Sequence, residues 1–177
     1  MRVNDKKETL LVVFIVLTVV SCFLWFSNSD SNVIRENPPQ QTILADSDFL
    51  LTSPHGTITV GKSTRDEVLK LYPEGKDLGK SGIYRPMDQD ILLTFTGKTN
   101  ILVKVDIGVG DLSSSRSIKV NDSFDKVLDK FGSNYTRAYT EGKPEIFDAY
   151  YGSDKYVLFK VENGTVKKII IGNPEDQ

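Results

Sequence analysis

Thiol and imidazole are nearly missing from this chain. Its 177 residues hold one cysteine, Cys22, and one histidine, His55. A single thiol cannot form an internal disulfide, so the fold must rest on packing whatever its redox compartment. A lone histidine rules out paired-histidine zinc chemistry and leaves a Ser-His-Asp or Cys-His arrangement only one candidate base. Clustered charge of one sign is absent as well. The net charge is −2 with no basic block, which argues against nucleic acid as a partner, since phosphate recognition needs grouped Lys and Arg. No nucleophile elbow occurs, and Gly108-Val109-Gly110 lacks the third glycine of a dinucleotide fingerprint. No cofactor is expected.

What is present is apolar and unevenly placed. Residues 10–26, LLVVFIVLTVVSCFLWF, carry no charge. As a helix they reach about 25 Å, near the lower limit for crossing a bilayer. Arg2, Lys6 and Lys7 precede the run and no basic residue follows before Arg35. The positive-inside rule therefore keeps residues 1–9 cytoplasmic and exports the rest, a single-pass signal-anchor in the cell membrane. Two rival readings share the run. Val19-Val20-Ser21-Cys22 resembles a lipobox with Cys22 as a lipidation site, although Phe23-Leu24-Trp25-Phe26 prolongs the apolar stretch past it. A cleaved secretory signal is the other, although no small-x-small site follows. Residues 27–47, rich in Ser, Asn, Asp, Gln and Pro, are expected to be a flexible spacer.

Beyond the spacer one pattern occurs twice. Ile58-Thr-Val60-Gly61-Lys-Ser63 precedes Val68-Leu69 and Tyr72-Pro73, while Ile118-Lys-Val120-Asn121-Asp-Ser123 precedes Val127-Leu128 and Phe131-Gly132. The offset is 60 from Ile58/Ile118 to Ser63/Ser123 and 59 from Val68/Val127 onward. Phe124, Val127, Leu128 and Phe131 make one apolar helical face, capped by Asp122 or Ser123 and stopped by Gly132. In the first copy Ser63 is the expected cap, Thr64 stands at the place of Phe124, and Pro73 ends the helix. Each helix is followed by alternating strands, with Asn163-Gly164 as a two-residue hairpin turn in the second copy. The expectation is an α+β fold of two tandem repeats, 48–110 and 111–177. Each has a short strand and a helix packed on an antiparallel meander, behind a transmembrane helix. One unit of about 60 residues buries little core alone, which predicts two packed side by side.

This order of I-x-V-G-x-S/T, V-L and Y/F-G/P before a meander resembles the outer-membrane assembly lipoprotein family of the BamE/SmpA type. In tandem it is similar to the β-lactamase inhibitor protein family. The resemblance spans about residues 56–172 and rests on structural residues. It implies a bacterial, extracytoplasmic, non-enzymatic binding module that grips a partner with its sheet. The inhibitor family's disulfide cysteines have no counterpart here and its contact residues match no position, so β-lactamase inhibition is not implied.

Candidate chemistry is sparse. His55 sits in a turn-like stretch, Asp88-Gln89-Asp90 lacks the glycine and terminal Glu of a calcium loop, and Glu141, Glu145 and Asp148 are carboxylates without an evident cleft. The remaining signal is strand alternation. If Val157, Phe159, Val161, Ile169 and Ile171 face the helix, then Tyr150, Tyr156, Leu158 and Ile170 share the opposite face. Tyrosines and aliphatics among charges have the make-up of a recognition surface. The competing reading is that this face packs against the other repeat or the linker. The expected partners are the membrane through residues 10–26 and an unidentified envelope protein or cell-wall component.

Overall fold

The computed structural model of the chain describes residues 32–79, 82–110 and 112–173. The described residues from 33 onward belong to one compact unit. Among the described residues no helix is long and apolar enough to cross a membrane. The apolar run 10–26, with Cys22 inside it, lies outside them.

The expected α+β class does not hold. The chain is mostly β: among the described residues, helices of seven and eight residues stand beside twelve strands. In chain order these are β1 (Val33–Glu36), β2 (Leu50–Ser53), β3 (Gly56–Thr59), α1 (Arg65–Leu71), β4 (Gly75–Asp77), β5 (Ile83–Pro86), β6 (Ile91–Phe95), β7 (Leu102–Ile107), β8 (Ser113–Ser114), α2 (Phe124–Phe131), β9 (Thr136–Thr140), β10 (Ile146–Gly152), β11 (Tyr156–Glu162) and β12 (Thr165–Gly172). A single 3-10 turn, Asp46–Phe49, precedes β2. Nine strands form one antiparallel sheet in the order β1-β9-β10-β11-β12-β7-β6-β5-β4, and β3-β2-β8 form a second, smaller one. The strands of both copies join in one shared sheet. Its seam pairs β12 with β7, Ile169 opposite Ile107 and Ile171 opposite Val105.

The reason lies in edge strands. Two β-meanders in one chain each leave an unpaired row of N–H and C=O groups, and joining those rows satisfies both. Polar stretches with no alternation of their own are recruited the same way. Val33–Glu36, inside the stretch read as a flexible spacer, is an edge strand on β9, with Val33 opposite Thr140 and Glu36 opposite Arg137. Ser113–Ser114, inside the stretch between the copies, pairs with β2. Ile118 is buried but belongs to no strand, because left-handed Ser117 and Asn121 flank it with φ of 58° and 75°.

The helices are short because their ends are well defined. Ser123 caps α2 by accepting from the Lys126 N–H, and Gly132, at φ 83°, closes it. In α1 the cap is Thr64, one residue later than expected. Its hydroxyl accepts from the Glu67 N–H while the Glu67 carboxylate accepts from the Thr64 N–H, a capping box. Ser63 accepts from the Thr59 N–H instead. Thr64 and Ser123 also make equivalent isolated bridges, to Ile101 just before β7 and to Thr165 at the start of β12. The offset of 59 thus already holds at the caps, and Arg65, not Thr64, matches Phe124.

Both helices and the small sheet contribute to one core with the inner face of the large sheet. Val68, Val127, Leu51, Ile58, Leu93, Val105, Phe159 and Ile169 are all fully buried members. Burying each such side chain stabilises by about 2 kcal/mol. One ion pair is enclosed with them. Arg116 reaches Asp48, 1% exposed, with its Nε and a terminal nitrogen at 2.6 and 2.7 Å. It also donates to the Lys130 carbonyl and lies 4.3 Å over the Phe131 ring. This single side chain fastens the 3-10 turn to the end of α2.

Candidate functional site

Strand register fixes which side chains share the outer face of the sheet. Tyr150 stands opposite Leu158, and Leu158 opposite Ile170. The three lie in one cross-strand line, and Thr136 extends it at β9 and Asp106 at β7. Tyr156 belongs to the next line, between Gly152 and Gly172. Its ring stacks on Tyr150 with centroids 5.0 Å apart and planes 23° from parallel. A Cβ on Gly172 would stand 2.4 Å from that ring, so only glycine leaves Tyr156 room to lie across the strand. Tyr150, Tyr156 and Leu158 are half-buried, and Ile170 is 9% exposed. All four sequence candidates therefore come together on one face.

Ion pairs border this patch. Lys160 is held by both oxygens of Asp148 at 3.1 Å, and Lys104 reaches Asp106 at 3.0 Å. Such exposed pairs add little stability but form a polar rim. The Tyr150 hydroxyl donates to the Ser153 carbonyl at 3.0 Å and so pins the β10–β11 turn. Burial, with Tyr156 and Asp154 nearby, raises its hydroxyl above the usual tyrosine range, which keeps it a neutral donor.

A cleft of about 640 Å³ opens beside that turn. Its lining includes Gln41, Ile43, Leu44, Gly152, Lys155 and Asn173. Residues 41–44 form one wall and are strapped down. Thr42 donates to the Asn134 carbonyl through both its hydroxyl and its N–H, Gln41 Nε2 donates to Thr136 Oγ1, and Thr136 in turn donates to Asn37 Oδ1. No signal in the sequence marked Gln41 or Asn173. One lies in a polar stretch and the other just past the last strand.

The other candidates are dispersed. His55 sits in the β2–β3 turn with its ring edge-on to Tyr72 at 5.7 Å. Asp88 occupies a left-handed turn at φ 60°, and among the described residues no group of three His, Cys, Asp or Glu could hold a metal ion. Glu141 and Glu145 lie on the exposed β9–β10 loop, while Asp148 is committed to Lys160. No protein family, no curated protein and no solved structure matches this chain.

Proposed function

We propose that the chain is a membrane-anchored, extracytoplasmic and non-enzymatic binding module that recognises a protein or cell-envelope component through the outer face of its sheet. The observation that carries this reading is the patch of half-buried Tyr150, Tyr156 and Leu158 beside buried Ile170, rimmed by ion pairs. Aromatic anchors within a polar border are the make-up of recognition surfaces. The charge-free run 10–26 with its basic N-terminal flank supports the anchor. The likeness to envelope lipoproteins enters only as a second support for the location.

A second reading is a structural accessory subunit of an envelope complex, with this face permanently covered. Val33 and Ile146 favour it. They fall on the same face by strand alternation and are 58% and 45% exposed, which extends the apolar surface beyond the patch.

Crosslinked capture from native envelopes separates the two. The bait is the full chain, compared with a Tyr150→Ala/Tyr156→Ala variant that melts normally. A partner captured by the wild type and lost by the variant is the expected result. Equal capture by both would move the site off this face. No capture by a well-folded bait would favour the permanently covered subunit.

A further inference from the structure

Two residues that line the cleft beside the β10–β11 turn carry buried side-chain carbonyls with no hydrogen-bond partner among the described residues, Gln41 Oε1 and Asn173 Oδ1. Buried acceptors are almost always paired, and an orphan costs the full desolvation of the group. Neither side chain is loosely placed. Asn173 is 6% exposed and donates its backbone N–H to the Val103 carbonyl. Its amide nitrogen lies where a Cβ on Gly61 would stand, 1.9 Å away. Gly61, at φ 87°, is thus the residue type that admits this amide. Gln41 is fixed by its bond to Thr136, itself bonded to Asn37. Each amide is held by the fold while its oxygen stays unmatched, the state of a site prepared for a donor.

We propose that this cleft takes an extended polypeptide segment, which donates backbone N–H groups to Gln41 Oε1 and Asn173 Oδ1 and seats an apolar side chain against Ile43 and Leu44. The proposal rests on the binding-module reading and gives its ligand a chemistry. Ile43, 86% exposed on the strap, and Leu44, packed at Gly152, supply an apolar contact beside the two acceptors. A glycan would also donate hydrogen bonds, but it needs a free aromatic face to stack on. No aromatic side chain among the described residues lines this cleft. A peptide needs no such face. It carries N–H groups at fixed spacing and alternating side chains, and main-chain bonds of this kind supply affinity in strand-like recognition.

The test is a titration of the ¹⁵N-labelled full chain in detergent micelles with N-acetyl-leucine-methylamide, read at the side-chain amide signals of Gln41 and Asn173. A saturable shift of both signals is expected. Asn173→Leu, which keeps the volume and removes the acceptor, should weaken binding about tenfold, and Asn173→Asp, which keeps an acceptor oxygen, should retain it. Should Asn173→Leu fail to fold, Gln41→Met removes the other acceptor independently. An absent or unsaturable shift in the wild type overturns the proposal. So does binding that is unchanged in Asn173→Leu, and so does a larger shift of the same signals by N-acetylglucosamine. The titration contains no envelope partner and reads the two amides, whereas the capture experiment reads the tyrosines. The cleft and the sheet face can therefore fail separately.

Discussion

The two halves of the large sheet follow one plan and are built to different weights. In the first, α1 precedes strands of three, four, five and six residues, and the helix buries only Val68. In the second, α2 precedes strands of five, seven, seven and eight residues and buries Phe124, Val127 and Phe131. Aromatic rings link the second half internally. Phe124 meets Tyr135 and Phe147 at 5.4 and 5.1 Å, and Phe131 meets Tyr151 and Phe159 at 5.2 Å each. Each such pair adds about 1 kcal/mol beyond area burial. The tyrosine patch lies on the back of this heavier half. The face proposed for recognition therefore lies on the side with longer strands and interlocked rings.

The sharpest way to break this comparison is to place a charge in each helix at its fully buried valine. Val127→Asp should cost more than about 4 kcal/mol and abolish the cooperative melt, because an unpaired carboxylate enters the aromatic core. Val68→Asp should leave a residual transition from the second half, seen by calorimetry together with near-ultraviolet dichroism of the tyrosines. Equal collapse in both variants would show that the seam makes the halves energetically one.

A smaller effect tests the clamp that ties the 3-10 turn to the second half. Arg116→Met should cost about 3 kcal/mol in denaturant unfolding, since it leaves Asp48 charged and enclosed. A loss below about 1 kcal/mol would mean that the turn opens and hydrates Asp48.

The smallest effect concerns acid. Hydrogen bonds from the Thr64 N–H and hydroxyl hold Glu67 below the usual glutamate range. Burial pushes Asp122 up, but the Lys126 ammonium and the Lys119 N–H outweigh it, so Asp122 also lies low. A carboxylate depressed in the folded state stabilises above its unfolded pKa of about 4, and that contribution is lost as pH falls through the folded value. Glu67→Gln should flatten the acid limb for the first half and Asp122→Asn for the second, as followed by stability against pH below about 4. A wild-type slope in both variants would assign the acid sensitivity elsewhere.

Local features were legible in the sequence and distant ones were not. Ser123, the apolar face from Phe124 to Phe131, Gly132 and the Asn163-Gly164 turn all act within a few residues of themselves, so spacing alone reveals them. Asn163 and Gly164 take φ of 48° and 71°, as a tight hairpin demands. Alternation likewise put Tyr150, Leu158 and Ile170 on one face without knowledge of their strands' neighbours. The β7–β12 seam, the pairing of Val33 with Thr140 and the grip of Arg116 on Asp48 join residues far apart in the chain, and no periodicity encodes which edges meet. The α+β expectation failed because the strands of both copies join one large antiparallel sheet that outweighs two short helices. Gln41 and Asn173 were hidden for a related reason. A polar residue becomes an orphaned acceptor only through what surrounds it once folded.

The seam also orders events during synthesis. β7 carries Leu102, Val105 and Ile107, fully or nearly fully buried in the finished sheet, and its partner β12 is the last strand of the described chain. Until β12 leaves the ribosome, β7 presents an unpaired apolar edge of the type that seeds aggregation. The growing chain must keep that edge shielded, or be chaperoned, for as long as the whole second half takes to emerge. The pairing that unifies the sheet cannot form before that.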